Sequence, residues 1–264
     1  MTTCAACMGT PSPLVPDARG SVGLPHSGVL TDSVALAKTG IGYVRVRATG
    51  NHYGTAELVR TIEHAASEVE RLTPGPPLHV GDLSGKHGGR IAGHASHRSG
   101  RDVDLLFYAM TLGGARIPSQ GWISYGPDGL GVAHDGEHGR TYVRIDVERN
   151  WLLARELLLS PYSQVMWLFV SNPLKSLMTE YALARGEDPL VVWQAENVML
   201  QPKNSLPHDD HFHLRIMCPV GDSTYGCDDG GPIWPWLSPL PKLAWPESTE
   251  DIATLVEADS FSPL

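Results

Sequence analysis

The sequence predicts an α+β fold for this chain of 264 residues. Segments with apolar residues at helical spacing alternate with short β-rich segments. The 28 glycines and 21 prolines are spread along the chain, which favours many turns between short elements and argues against a helical bundle. With 42% hydrophobic residues, the chain can bury a substantial core. We therefore expect a flexible leader at residues 1–20 and a single domain at residues 21–264.

The first half of the chain supplies the leader and four predicted elements. Prolines at positions 11, 13 and 16, with little apolar periodicity, are typical of a flexible leader. A β-rich segment covers residues 42–48, and helical spacing of apolar residues predicts a helix from Thr55 to Leu72 that ends before Pro74. Strands are predicted at residues 78–81 and 102–108, on either side of a glycine-rich polar loop at residues 82–100.

The second half begins with a glycine-rich stretch, residues 110–139, whose weak periodicity predicts long loops with room for one hairpin. An amphipathic helix is predicted at residues 146–159, a buried strand at 165–170 and a further helix from residue 172 to about 185. Residues 212–217 are predicted to form the last core strand. Beyond residue 230, tryptophans among prolines predict a tail without regular structure.

Charge and hydropathy exclude two classes of partner. The net charge is −9 and no basic run or stripe could neutralise a phosphate backbone, so we expect no nucleic acid partner. We expect no membrane span either, because no window approaches roughly 20 consecutive apolar residues. The most apolar stretch, residues 151–159, is interrupted by Arg155 and Glu156.

The four cysteines form two pairs along the chain. Cys218 and Cys227 flank a turn-rich segment and could close a small disulfide loop, with a pair of free thiols as the alternative. Cys4 and Cys7 precede a Pro/Ser-rich stretch that lacks the apolar region of a secretion signal. A trimmed signal and a lipid anchor on an N-terminal cysteine both remain open.

Histidine clustering is the main functional signal. Six of the twelve histidines fall in two short windows, namely His87, His94 and His97 in the first and His208, His211 and His213 in the second. Asp104 follows His97 after a turn at Ser99-Gly100, and alternation along a strand places His211 and His213 on one face.

Two imidazoles and one carboxylate suit Zn²⁺, and three protein ligands leave a fourth position open for water. His97, Asp104 and His213 are the predicted ligands. A zinc-bound water with a pKa of about 7 can pass its proton to a neighbouring histidine, for which His211 is the candidate.

Other polar residues remain open at this stage. His134, Asp135 and His138 could form a second metal site or a solvated loop, and the loop is favoured. Asp102 shares a strand face with Asp104, so it could orient a ligand or bind the loop backbone. The chain lacks H-E-x-x-H, G-x-S-x-G, a phosphate loop and G-x-G-x-x-G before a helix, which removes helical zinc proteases, serine hydrolases and nucleotide chemistry.

The motifs resemble those of the penicillin-insensitive murein endopeptidases. The matching segments are SVGLPHSGVL (residues 21–30), GDLSGKHGG (81–89), GHASHRSGRDVD (93–104) and HDDHFHLRIMCP (208–219). This family is part of a wider fold group with lysostaphin-like peptidases, D-alanyl-D-alanine dipeptidases and hedgehog signalling domains. The resemblance implies a small central antiparallel sheet flanked by helices and long loops.

The resemblance also implies roles for individual residues. Zinc is expected at His97, Asp104 and His213, with His211 catalytic, His208 and His94 lining the site, and His94 a further metal ligand in some members. A disulfide is implied between Cys218 and Cys227.

The implied activity is hydrolysis of D-alanyl to meso-diaminopimelyl cross-links between peptidoglycan stem peptides, in the periplasm or otherwise outside the cytoplasm. The alternatives are a D,D-carboxypeptidase or dipeptidase acting on uncross-linked stems, and a noncatalytic zinc-containing module that binds the wall or a protein. One departure is Arg98, where the family usually has glutamine; it could bind a stem carboxylate or face water.

Overall fold

The computed structural model describes residues 19–135, 139–203 and 205–237. The chain divides into two compact units, residues 1–232 and 233–264. In the second unit, the rings of Trp234 and Trp236 stack with their centroids 5.0 Å apart. The predicted leader and most of the predicted tail lie outside the described residues, so both remain predictions.

Four helices and fifteen strands make up the first unit within the described ranges. The helices are α1 (Ala56–Leu72), α2 (Val147–Leu158), α3 (Asn172–Ala184) and α4 (Pro189–Val198). The first eight strands are β1 (Ser21–Leu24), β2 (Ser27–Leu30), β3 (Val34–Ala35), β4 (Thr39–Gly40), β5 (Tyr43–Arg45), β6 (Tyr53–Gly54), β7 (Leu78–Val80) and β8 (Asp102–Leu106). The others are β9 (Ala109–Thr111), β10 (Arg116–Ile117), β11 (Leu130–Asp135), β12 (Gly139–Ile145), β13 (Val165–Phe169), β14 (Met199–Leu200) and β15 (His211–Ile216). The predicted α+β class is confirmed.

The central sheet has seven strands in the order β14-β13-β15-β8-β7-β5-β4. Strand β15 lies in its interior, antiparallel to both β13 and β8. The sheet is mixed, because β5 pairs with β7 and β13 pairs with β14 in parallel. Each parallel pair is separated in sequence by at least one helix, the long crossover that a parallel pair requires.

Helix α1 illustrates how the sequence determines the elements beside the sheet. The Thr55 side chain caps its N-terminus by accepting a hydrogen bond from the Leu58 N–H at 3.2 Å. Its apolar face is buried and comprises Leu58, Val59, Ile62, Ala65, Ala66 and Val69. The predicted helix from Thr55 to Leu72 is therefore confirmed, and the helices near residues 146–159 and 172–185 are confirmed as α2 and α3.

Two regions are more regular than the sequence indicated. Residues 110–139 were expected to form long loops with room for one hairpin, but the described residues between 109 and 145 form a four-stranded antiparallel sheet in the order β10-β9-β12-β11. Its strands are short and glycine-rich segments separate them, so the sequence shows little periodicity. Helix α4 was not predicted, although Asp188 caps it by accepting from the Leu190 N–H and Pro189 occupies its first turn.

The expected disulfide is present in the described residues. Cys218 and Cys227 form a disulfide, as the resemblance implied. None of the described helices combines the length and the apolar character needed to cross a membrane.

Candidate metal centre

The centre lies where β8 and β15 run side by side in the central sheet. In the antiparallel register, His213 is opposite Asp104 and Arg215 is opposite Asp102. Because alternate residues share a face, His211 and His213 both point toward Asp104. The sequence prediction that these two histidines share a strand face is therefore confirmed.

His97 reaches the same point from the loop that precedes β8. Its backbone has a φ of 63°, in the left-handed region that non-glycine residues rarely adopt. Gly100, three residues later, also has a positive φ, and its N–H donates to the Ser84 hydroxyl at 3.0 Å. This tight turn folds the loop back, so that the fully buried His97 ring faces Asp104.

Three imidazole nitrogens surround one carboxylate oxygen, Oδ1 of Asp104. His97 Nε2 lies 3.3 Å from it, while His213 Nδ1 and His211 Nε2 each lie 3.4 Å away. Ligand atoms at about 2.0–2.1 Å from a tetrahedral metal are separated by about 3.3–3.4 Å. The spacing therefore suits donor atoms that share one metal ion.

Two of these atoms lack other partners. His97 Nε2 and Asp104 Oδ1 are buried, and neither has a partner with hydrogen-bond geometry among the described residues. Buried polar atoms are rarely left this way, because each unsatisfied group costs about 1–3 kcal/mol. A metal ion between them would satisfy both atoms.

Hydrogen bonds on the far sides of the rings leave the inward nitrogens free. The Leu83 carbonyl lies 3.0 Å from His97 Nδ1 and can only accept, so Nδ1 carries a proton, and in the neutral ring Nε2 presents a lone pair. Asp102 Oδ1 likewise accepts from His213 Nε2 at 2.8 Å, which leaves His213 Nδ1 free. Such outer partners fix the tautomer of metal-binding histidines in proteins.

The electrostatics of the centre favour positive charge beside Asp104. Burial would raise the pKa of Asp104, yet His97 and His211 hold it well below its usual range. Burial would lower the pKa of His211, but the nearby carboxylates of Asp104 and Asp210 raise it to about 9. Burial lowers the pKa of His213 to about 4 despite its bond to Asp102, so this ring is neutral, the form that binds metals.

Asp102 performs both of the roles that the sequence left open. Its Oδ1 accepts from His213 Nε2 and, at 2.7 Å, from Arg215 Nε. Its Oδ2 accepts from the backbone N–H of His97 at 3.2 Å. One buried carboxylate thus orients a ring of the centre and holds the loop that carries another.

His94 lies at one side of the centre. Its Nδ1 is 3.7 Å from Asp104 Oδ2, and its Nε2 is 3.3 Å from Asp82 Oδ2. Asp82 is buried and also accepts from the Thr49 hydroxyl at 2.6 Å. The sequence did not single out Asp82, although it lies inside the matching segment GDLSGKHGG, because a lone aspartate in a polar loop carries no distinctive spacing.

His208 lies on the other side, just before β15. Its backbone φ is 55°, and its Nδ1 donates to the Leu206 carbonyl at 2.9 Å. The ring centroid lies 4.9 Å from that of His211. Burial, together with the neighbouring His211, lowers the pKa of His208.

Two residues beside His211 were also missed from the sequence. Asp210 Oδ1 lies 2.6 Å from His211 Nδ1 and sets the orientation of that ring. The indole of Trp122 meets the His211 ring edge-on, with centroids 4.8 Å apart. Asp210 lies inside a recognised motif, whereas Trp122 belongs to a stretch without one.

The structure thus brings together all six predicted site residues, and these form two triads that could each hold a metal ion. The triads are His94, His97 and Asp104, and His208, His211 and His213.

The Arg98 side chain has a buried Nε without a hydrogen-bond partner in the described part of the chain. His138 lies outside the described residues, and so do the side chains of His134 and Asp135 on β11.

Comparison with known proteins gives matches over much of the chain. The family model described as penicillin-insensitive murein endopeptidase matches residues 21–120, which contain the first histidine window. A protein of that name from Klebsiella pneumoniae (strain 342) is 28% identical over 218 residues, covering 80% of this chain and 70% of the relative.

Two further relatives carry the same name. The protein from Shigella sonnei (strain Ss046) is 26% identical over 86% of this chain and 79% of its own length. The protein from Haemophilus influenzae (strain ATCC 51907 / DSM 11121 / KW20 / Rd) is 27% identical over 80% of this chain and 68% of its own. The resemblance indicated by the histidine motifs is confirmed: this chain is similar to proteins named penicillin-insensitive murein endopeptidase.

Proposed function

We propose that the chain is a zinc-dependent murein endopeptidase that hydrolyses D-alanyl to meso-diaminopimelyl cross-links between peptidoglycan stem peptides. The observation that carries this proposal is the pair of unsatisfied buried atoms, His97 Nε2 and Asp104 Oδ1, with His213 Nδ1 beside them. Two imidazoles and one carboxylate are the ligand set of catalytic zinc sites. The names of the relatives support the substrate class.

We assign His97, Asp104 and His213 as the metal ligands, with His94 as a further ligand toward Asp82. A bound zinc ion would supply a Lewis acid that acidifies a water molecule and polarises the substrate carbonyl. The burial of His97 and Asp104 keeps bulk water away and strengthens the charge interactions of the centre.

We assign proton transfer to His211. Asp210 fixes its ring through Nδ1, and its Nε2 points to the same oxygen as the two ligand rings. A metal cation held by Asp104 would oppose the positive charge of His211 and lower its pKa, and in the neutral ring Nε2 could accept a proton from the attacking water molecule and deliver it to the leaving amine. His208 donates through Nδ1 to a backbone carbonyl, so the neutral ring offers Nε2 as an acceptor for a substrate N–H.

Several wider expectations accompany this proposal. We infer a fold of the hedgehog and D-alanyl-D-alanine peptidase type and a location in the periplasm or elsewhere outside the cytoplasm. The disulfide supports that location, since such bonds persist in oxidising compartments. The leader at residues 1–20, the single domain at residues 21–264 and a lipid anchor on an N-terminal cysteine stand as proposals.

The test separates metal binding from turnover. We expect His97→Ala, Asp104→Ala and His213→Ala each to lose both bound zinc and activity. We expect His211→Ala to keep its zinc and to lose activity by roughly 10²- to 10⁴-fold, the usual contribution of a general acid–base. His64→Ala, on α1, is the matched control and should leave both unchanged. Metal content is read by elemental analysis after desalting.

Product analysis by mass spectrometry identifies the substrate. Purified protein is incubated with cross-linked dimers of stem peptides and with monomeric pentapeptide, with and without a chelator. Cleavage of the dimers alone supports an endopeptidase, whereas loss of the terminal residue from the pentapeptide alone indicates a carboxypeptidase. Zinc-loaded protein that leaves both substrates and whole sacculi intact would overturn the proposal in favour of a noncatalytic module.

A further inference from the structure

Trp122 forms a wall of the metal centre, although it lies just beyond the segment that the family model matches. Its ring meets His211 edge-on, and the Arg47 guanidinium lies 5.1 Å from the centre of the indole. Gly81 makes this packing feasible, because a Cβ at that position would lie only 3.1 Å from the indole and 3.2 Å from the Asp104 Cβ. The indole is 37% exposed, so one part of it contacts the centre and another faces solvent.

The solvent side of Trp122 opens onto a groove. This groove has a volume of about 420 Å³ and lies between the segment around Trp122 and strands β11 and β12. Its apolar lining includes Leu130, Val132 and Tyr142. The groove is therefore continuous with the centre through a single side chain that belongs to both.

The pairing of β11 with β12 explains why this surface is both apolar and basic. Val132 is opposite Tyr142 and Leu130 is opposite Arg144, so all four side chains share one face of the hairpin. The other face carries buried residues, Ala133, Val143 and Ile145, which anchor the hairpin to the body. The outward face therefore presents Leu130 and Tyr142, 40% and 58% exposed, beside an arginine.

Two cations on this face have no acidic partner within the described part of the chain. Arg140 and Arg144 are exposed on β12, and neither forms an ion pair with another described residue. The chain as a whole has a net charge of −9, so two exposed arginines beside an apolar groove depart from its general acidity. Such a surface is complementary to a ligand that combines apolar groups with free carboxylates.

The groove is also fixed relative to the centre. The Tyr125 backbone N–H donates to the Asp209 carbonyl at 2.9 Å, which ties the Trp122 segment to the residues just before β15. The Tyr125 ring packs edge-on against Phe107 at the end of β8, with centroids 6.0 Å apart. A chain bound in the groove would thus enter the centre at a defined position beside His211.

We propose that the face formed by Trp122, Leu130, Val132, Tyr142 and Arg144 is a subsite that binds an anionic peptide stem on one side of the scissile amide. The inference rests on the proposed function for the identity of the peptide. The apolar residues bind the side chains and backbone of the stem, and Arg144 pairs with one of its free carboxylates. The subsite selects substrates with a long stem over short amides.

The test compares two substrates and two pairs of matched variants. The substrates are a cross-linked dimer of stem peptides and a blocked dipeptide that contains only the scissile amide. The variants are Tyr142→Ala and Arg144→Glu in the groove. Their controls are Tyr162→Ala and Arg60→Glu, in a separate surface pocket that also presents a tyrosine and an arginine.

We expect each groove variant to raise KM for the dimer by about five- to tenfold, with kcat within about twofold of the wild type. The dipeptide should be cleaved by these variants at the wild-type kcat/KM, and both controls should match the wild type on both substrates. An unchanged KM for the dimer, or an equal loss on the dipeptide, would overturn the subsite while leaving the proposed function intact.

Direct binding separates the two proposals if the wild-type protein cleaves neither substrate. In that case a monomeric stem tetrapeptide is titrated into the wild-type protein and the variants by calorimetry. A Kd raised by about five- to tenfold in the groove variants alone supports the subsite even though the proposed function has failed. No measurable binding to the wild type, or the same Kd in every variant, overturns the subsite.

Discussion

Asp102→Asn tests whether the outer hydrogen bonds of the centre control its affinity for metal. The aspartate accepts from His213, Arg215 and the His97 backbone N–H, so its two oxygens receive three hydrogen bonds. Asparagine preserves the shape, but its NH₂ group cannot accept. If the amide oxygen faces His213 and Arg215, the NH₂ group meets the His97 N–H, and one buried donor is left unsatisfied.

The magnitude follows from these three bonds. Arg215 loses its ion-pair partner, although its guanidinium still donates to the neutral amide oxygen, and an unsatisfied buried donor costs about 1–3 kcal/mol. We therefore expect the metal-free protein to lose about 2–4 kcal/mol of unfolding free energy. Loss of an outer partner of a metal ligand weakens metal affinity by about 10- to 100-fold, which corresponds to about 1.4–2.7 kcal/mol.

Asp146→Asn provides a matched control for this experiment. Asp146 is also buried, and it accepts from the Arg149 backbone and from Arg116 Nε at the start of α2. This variant should lower the melting temperature and leave metal affinity unchanged. Affinity is measured by competition with a chromophoric chelator, and stability by thermal unfolding of the metal-free protein. Metal affinity within twofold of the wild type in Asp102→Asn, or an equal loss in Asp146→Asn, would refute the reasoning.

Two further predictions concern the stability of the fold. Replacing Cys218 and Cys227 by serine opens a loop with a sequence separation of 9. Chain entropy then predicts a loss of roughly 2.5–3 kcal/mol of unfolding free energy and a fall in melting temperature of about 5–10 °C. An unchanged melting temperature under oxidising conditions would contradict this. Thr55→Ala removes the side-chain cap of α1 and should lower the unfolding free energy, measured with urea, by about 1 kcal/mol. Thr55→Ser keeps a hydroxyl group and should retain most of the wild-type stability. Equal stability of the alanine and serine variants would argue against a capping role.

The elements that the sequence predicted well are those with local causes. Helix α1 has a capping threonine, an apolar face and a proline-rich end, all within one stretch of chain. Strands β8 and β15 were found because they contain the motifs. At residues 109–145 the sequence predicted long loops with room for one hairpin and not a four-stranded sheet, because the pairing depends on contacts between short strands that glycine-rich segments separate. Helix α4 was missed although its Asp188-Pro189 start is a local signal.

The candidate site also contains two kinds of residue. Some can be recognised in the sequence by their type and spacing, and others matter only because the fold places them beside the centre. Metal binding requires particular donor atoms, so His97, Asp104 and His213 stand out in the sequence by type and spacing. Asp82 and Trp122 contribute through where the fold places them, and any polar loop or glycine-rich stretch could contain such residues. Trp122 reaches His211 only because Gly81 leaves space for its ring, a relation between positions 41 residues apart. A substitution at Gly81 and one at Trp122 should therefore alter the same wall, although neither residue supplies a ligand.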